Sequence, residues 1–148
     1  MEKEASLTHL GKKSTFVYAD PDPSLLEAIA NPFANQALNG NSVSGNIHIE
    51  APEFTSLCPI TGQPDFALLI IDYVPDKLCV ESKSLKLYLG RFRQQGEFHE
   101  ACVNRIANDL VTLLAPEFLR VEGRFTARGG ISIWPVATYR KPAPPTEH

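Results

Sequence analysis

Cys58 and Asp65 stand seven positions apart in the segment Leu57-Cys58-Pro59-Ile60-Thr61-Gly62-Gln63-Pro64-Asp65. Two prolines and a glycine between them predict a rigid loop joining two strands, the kind of setting in which a scaffold presents reactive groups. A thiolate beside a carboxylic acid suits addition to a polar multiple bond. Sulfur attacks carbon, and the acid protonates the heteroatom that turns negative. The competing reading is a small packed cysteine next to a solvated turn aspartate, since free cysteine often only fills space.

Three other segments carry candidate chemistry. In Val80-Glu81-Ser82-Lys83-Ser84-Leu85-Lys86, Ser82 and Ser84 are candidate caps for a coming helix. The free N–H groups of such a helix start favour an anion, and Lys83 and Lys86 add positive charge for a phosphate. Glu81 lies off the apolar stripe and can accept hydrogen bonds from a heterocycle's N–H groups. In Phe98-His99-Glu100-Ala101-Cys102, Glu100 suits a helix's first turn, and a His-Glu pair can read a purine-like edge or move a proton. In Arg128-Gly129-Gly130, glycine admits a close-lying ligand and arginine can fork a phosphate. The plain alternatives are a charged helix start in water, a dipole-favoured glutamate and a hairpin turn.

The elements that must hold these residues follow from periodicity. Residues 43–55 tend to alternate and predict a long strand kinked near Pro52, and residues 66–74 predict a buried strand ending at Pro75. Leu85, Tyr88, Leu89 and Phe92 share one helical face, although Leu85, Leu87 and Leu89 also alternate as a strand would. Val103, Ile106, Leu110, Leu113 and Leu114 form a longer helical stripe that stops before Pro116. Leu119, Val121, Gly123, Phe125 and Ala127 alternate with polar residues as a half-buried strand. Gly129-Gly130 supplies a turn, and Ile131 and Ile133 open a last strand. The order is β-β-α-α-β-β, an α+β fold with an antiparallel sheet and helices layered on one face. Open sheet edges make a ring-forming homo-oligomer plausible.

The expected organisation is a single domain. An N-terminal arm covers residues 1–42, with one short helix over 24–30 that Ser24 caps and Glu27 completes as a capping box. A catalytic region covers 43–141, and a proline-rich flexible tail covers 142–148. Hydrophobic residues make up 43% and charged residues 21%, which fits a globular domain, and a net charge of -3 with scattered arginines argues against direct nucleic-acid binding. The first residues lack a basic start followed by an apolar run, and no apolar stretch is long enough to span a bilayer, so a cytoplasmic location with no membrane is expected. Three cysteines, an odd number, do not read as a disulfide framework. Cys79 reads as core. Cys102 reads as packing on the helix, with a protective disulfide to Cys58 under oxidation as the other possibility. There is no Walker loop, no G-x-G-x-x-G, no Gly-x-Ser-x-Gly elbow and no zinc-ligand spacing.

Together these segments resemble the QueF family, the NADPH-dependent 7-cyano-7-deazaguanine reductases of queuosine biosynthesis, a tRNA modification. The resemblance rests on Glu81-Ser82-Lys83-Ser84-Leu85-Lys86-Leu87-Tyr88-Leu89 followed by Phe92-Arg93, the family's signature. It is joined in order by Pro52-Glu53-Phe54-Thr55-Ser56-Leu57-Cys58-Pro59, Thr61-Gly62-Gln63-Pro64-Asp65-Phe66, Phe98-His99-Glu100 and Arg128-Gly129-Gly130-Ile131. A single set of motifs is similar to the single-module branch. The resemblance implies the tunnelling fold shared with GTP cyclohydrolase I, in stacked rings with active sites between subunits. It implies Cys58 as the nucleophile that forms a thioimide on the nitrile and Asp65 as the proton donor. Val80, Glu81, Ser82, His99 and Glu100 would hold the deazaguanine, Ser82, Lys83, Arg128 and Gly129 would contact NADPH, and no metal would do chemistry. Trp134-Pro135-Val136 departs from the more polar segment expected there. Alternatives are a GTP cyclohydrolase-like hydrolase on the same fold, a thiol peroxidase, for which Pro52 sits one position too late, and a non-catalytic binder of deazapurines or pterins.

Overall fold

Two long antiparallel strands form the backbone of the site. In the computed structural model, which describes residues 7–13, 20–34 and 37–147, β4 runs Ile47–Leu57 and β5 runs Pro64–Val74. The shorter strands before them are β1 (Ala28–Ala30), β2 (Ala37–Leu38) and β3 (Asn41–Ser42). After β5 come β6 (Leu78–Val80), helix α1 (Ser82–Gly90), a 3-10 turn over Arg91–Gln94, helix α2 (His99–Leu114), and strands β7 (Phe118–Phe125) and β8 (Val136–Arg140). The main sheet has the order β4-β5-β7-β8, and every neighbouring pair is antiparallel. The expected kink at Pro52 is a break in register between Ala51 and Phe54, where proline can donate nothing to the ladder.

The α+β layering follows from alternation. Leu69 and Ile71 on β5, with Leu119, Val121 and Phe125 on β7, point to one side of the sheet and are buried. Val103, Ile106, Leu110 and Leu114 of α2, with Leu85, Tyr88 and Phe92 from α1 and its following turn, complete that core. The helical period therefore prevails over the alternating one in α1, because it buries Tyr88 and Phe92 completely. Helix α2 ends at Ala115, whose φ of 42° is left-handed, one residue before Pro116. The opposite face of the sheet carries charge. Glu122 lies between Arg120 (3.1 Å) and Arg124 (3.3 Å), and His48 bonds Asp72 across the β4–β5 pair at 2.6 Å.

One glycine sets a layer spacing. A Cβ at Gly123 would stand 2.7 Å from the Phe125 ring and 2.9 Å from a Val103 methyl. The missing side chain lets α2 lie directly on β7.

Two expectations are corrected. Residues 24–30 are not a helix: Pro23–Leu25 make a short 3-10 turn capped by Asp22 rather than Ser24, and Ala28–Ala30 pair with Leu78–Val80 as β1. Glu27 is instead the acceptor for Thr8 N–H at 2.9 Å. The last strand is not opened by Ile131 and Ile133. Ile131 only bridges Arg128, and the strand begins at Val136, where pairing with Glu122 starts. Pro135, lacking an N–H, delays the ladder by those residues. The parts of the expected arm at residues 1–6, 14–19 and 35–36, and of the expected tail at residue 148, lie outside the described residues.

Candidate active site

The loop between β4 and β5 decides what Cys58 can do. Cys58 N–H donates to Gln63 O at 2.8 Å, and Gly62 N–H donates to Cys58 O at 2.9 Å, closing a tight turn with Gly62 at φ +70°. That closure folds the Thr61 hydroxyl and the Thr61 and Ile60 N–H groups around the sulfur. Their hydrogen bonds bring the thiol down to about 7 against the opposing effect of burial, with the Arg128 side chain contributing least. Near neutral pH about half of such a group is thiolate, the nucleophilic form.

Register places the acid. Ser56 faces Asp65 and Leu57 faces Pro64 across the ladder. Alternation then projects Cys58 and Asp65 from the same, helix-facing side, one diagonal step apart. Asp65 is buried, with Arg128 Nη2 at 2.5 Å from Oδ1 and His99 Nε2 at 3.4 Å from Oδ2. Arg128 also donates to Gln63 O (3.4 Å) and Pro64 O (3.3 Å), so one guanidinium clamps the far end of the turn. Arg128 is held by its exchange of backbone bonds with Ile131 around Gly129 and Gly130, both at positive φ.

His99 opens α2. Its ring stacks on Phe125 at 3.8 Å and 3°, which fixes the nitrogen it turns toward Asp65. A further tie joins these parts. Leu57 N–H donates to Gln95 O at 2.9 Å and Glu97 N–H to Leu57 O at 3.1 Å, a parallel bridge that binds the end of β4 to the segment leading into α2. Glu97 is buried and paired with Arg105, and burial raises its carboxyl above the usual range despite that arginine.

Cys58, Asp65, His99 and Arg128 are thus brought together in one chain. Glu100 is exposed in the first turn of α2, and Gly129 is exposed beside Arg128. Among the described residues no hydrogen bond or ion pair joins the Val80–Lys83 segment to Cys58 or Asp65. There the expected serine cap is corrected. Glu81 caps α1, accepting from the N–H groups of Lys83 and Ser84 at 2.8 Å each, while Ser82 is the exposed first residue of the helix. Ser84 instead takes the Glu27 N–H at 3.0 Å. Lys83 bonds the Lys12 carbonyl of the N-terminal arm. Sequence reasoning did not single out Thr61, Phe125, Ser56 or Glu97. Only Thr61 left a signal, as a threonine inside a proline- and glycine-bounded turn.

Cys79 and Cys102 are buried, and all three cysteines are free thiols. Among the described residues no three His, Cys, Asp or Glu side chains gather as a metal would require, and no helix is long and apolar enough to cross a membrane.

An antiparallel sheet layered with two helices is the architecture of the tunnelling-fold class. The apo crystal structure of the archaeosine synthase QueF-Like superposes with a TM-score of 0.60 at 17% identity, covering 67% of this chain and 96% of that one, which supports the fold. The family model described as QueF-like protein matches residues 64–144. A Streptococcus thermophilus protein named NADPH-dependent 7-cyano-7-deazaguanine reductase is 52% identical over 95% of this chain and 82% of its own length. Proteins of the same name from Parabacteroides distasonis and Exiguobacterium sibiricum are 50% and 53% identical, over 95% and 92% of this chain and 85% and 80% of theirs. The chain belongs to the QueF family.

Proposed function

We propose that this protein reduces the nitrile of 7-cyano-7-deazaguanine to the aminomethyl group, using two NADPH, in queuosine biosynthesis. The observation that carries the reading is the Cys58 turn, a thiol lowered to about 7 one ladder step from a buried carboxyl. A nitrile is a poor acceptor for direct hydride attack. Cys58 sulfur adds to its carbon and Asp65 gives a proton to its nitrogen, forming a thioimide. After hydride reaches that carbon and a proton reaches nitrogen, the C–S bond breaks to leave an imine and the free thiol. A second hydride and a further proton give the amine; the proton that sulfur gives up on addition returns to it when the C–S bond breaks, so the net uptake is two hydrides and two protons.

NADPH, when bound, supplies the hydride for each reduction. The residues present fit it: Lys83 and Arg128 are cationic, Ser82 is exposed at a helix start, and nothing stands within 4 Å above Gly129 or Gly130. His99 and Glu100, with the Val80-Glu81-Ser82 segment, hold the deazaguanine. Glu81 already spends both carboxylate oxygens on α1, so reading a ligand there also draws on the adjacent backbone. No metal takes part in the chemistry.

That no bond among the described residues joins the Val80–Lys83 segment to Cys58 favours sites completed between copies of the chain. The edges β4 and β8 and the exposed Phe66, Ile131, Ile133, Trp134 and Val136 are surfaces such a homo-oligomeric ring would use. Residues 43–141 then form the catalytic unit, 1–42 an arm and 142–148 a tail. The enzyme acts in the cytoplasm on a free small molecule, without binding nucleic acid directly. Mixing protein, NADPH and 7-cyano-7-deazaguanine and following the reduced nicotinamide absorbance tests the reading. Two NADPH oxidised per nitrile is the expected result, and no nitrile-dependent oxidation would sink it.

A further inference from the structure

Ser56 stands out among the groups the mechanism leaves unused. Its residue is fully enclosed, and its Oγ has no hydrogen-bond partner. Buried hydroxyls in native folds almost always find a partner, so an orphan calls for a group that arrives or turns. The ladder names that group, because Ser56 is the cross-strand partner of Asp65, and both side chains point to the helix-facing side. Opposed residues of an antiparallel pair have Cβ atoms about 4.5–5.5 Å apart, within reach of one side-chain rotation.

The chemistry of the carboxyl explains why a hydroxyl belongs there. Arg128, on Oδ1, can only donate. It cannot accept the O–H of a protonated carboxyl, the form a proton donor must present. A serine hydroxyl both donates and accepts, so it can partner Asp65 before and after the proton leaves. Arg128 is moreover shared with two carbonyls of the turn, so it serves the loop as well as Oδ1. We propose that Ser56 is a positioning residue for the proton donor, its buried hydroxyl holding the Asp65 carboxyl in the orientation that meets the reacting nitrogen. This rests on the reading of Asp65 as the donor to the nitrile.

The test compares full-length wild type, Ser56→Ala, Ser56→Thr, Asp65→Asn and the Ser56→Ala/Asp65→Asn double variant. Adduct formation is followed by mass spectrometry with 7-cyano-7-deazaguanine and no NADPH, and kcat and KM by NADPH oxidation. Ser56→Ala is expected to slow adduct formation and kcat about tenfold with the nitrile KM within twofold, to leave Tm unchanged, and to add nothing in the Asp65→Asn background. Ser56→Thr is expected to restore the rate. Unchanged kinetics in Ser56→Ala, or the same slowing with Asp65 already replaced, would overturn the inference alone. So would a Tm lowered by several degrees in Ser56→Ala, since the hydroxyl would then already have a partner without ligand. Wild type that forms no adduct and oxidises no NADPH would overturn the reductase reading, and this role with it.

Discussion

Cys58 sits in a turn whose Thr61 hydroxyl and Thr61 and Ile60 N–H groups favour its thiolate, and Cys102 sits one turn into α2 with no access to solvent. The first thiol is brought down to about 7. The second is pushed far up by burial, and the nearby Glu97 and Asp65 carboxylates add to the effect. On the proposed reading the same side chain is a nucleophile in one region and a small apolar filler in the other. Loop closure makes the difference: donors held by the Cys58–Gln63 turn cannot swing away, whereas the N–H of Cys102 is already spent on Phe98 O at 3.0 Å.

Replacing each thiol breaks this comparison most directly. Cys58→Ala is expected to remove the adduct and reduce NADPH oxidation by at least about 10³-fold, which is roughly 4 kcal/mol of barrier. Cys102→Ala should keep activity within a fewfold, and comparable losses in the two variants would erase the distinction. Asp65→Asn should slow adduct formation about 10²-fold or more with the thiol still reactive toward iodoacetamide. Leu110→Ala, in the helix that carries Cys102, should cost about 2–5 kcal/mol in denaturant unfolding, and below its unfolding midpoint should leave Cys58 alkylation unchanged.

Finer tests sharpen the contrast. Alkylation of Cys58 in the native protein should rise as pH rises through about 7, because the thiolate fraction grows there, and level off above it. Cys102 should stay unmodified over that range, and a single pH profile shared by both thiols would contradict the assignment. Thr61→Val removes the largest of the groups that favour the Cys58 thiolate. The profile should move to higher pH, with a severalfold slower reaction at pH 7. An unmoved profile would place the effect in the backbone of the turn alone.

How far the sequence reveals this region depends on how local each interaction is. Strand β5, helix α2 and β7 follow from their own periodicities, α1 shows two competing ones, and the break at Pro52 follows from its missing N–H. The pairing of Cys58 with Asp65 is also local, because a short loop fixes their register. The Arg128 clamp is not, since it joins residues 63 positions apart and depends on how β7 docks on β5. The stack of His99 on Phe125 and the bridge from Leu57 to Gly96 depend in the same way on tertiary packing. Residues 24–30 misled because Ser24 and Glu27 have capping-box spacing, while pairing with β6 offered Ala28–Ala30 a better use of their backbone. At α1 the serines drew attention from Glu81, whose longer side chain reaches two N–H groups at once.

The empty position at Gly123 has a reach beyond its own strand. Val103, which a Cβ there would strike, lies one helical turn from His99, and Phe125, the other residue it would strike, is the platform under the His99 ring. A methyl group at residue 123 would therefore act as a shim between sheet and helix. It would lift α2, tilt the platform and widen the 3.4 Å gap between His99 and Asp65, so that a hydrogen atom on this glycine works as the gauge of the proposed site.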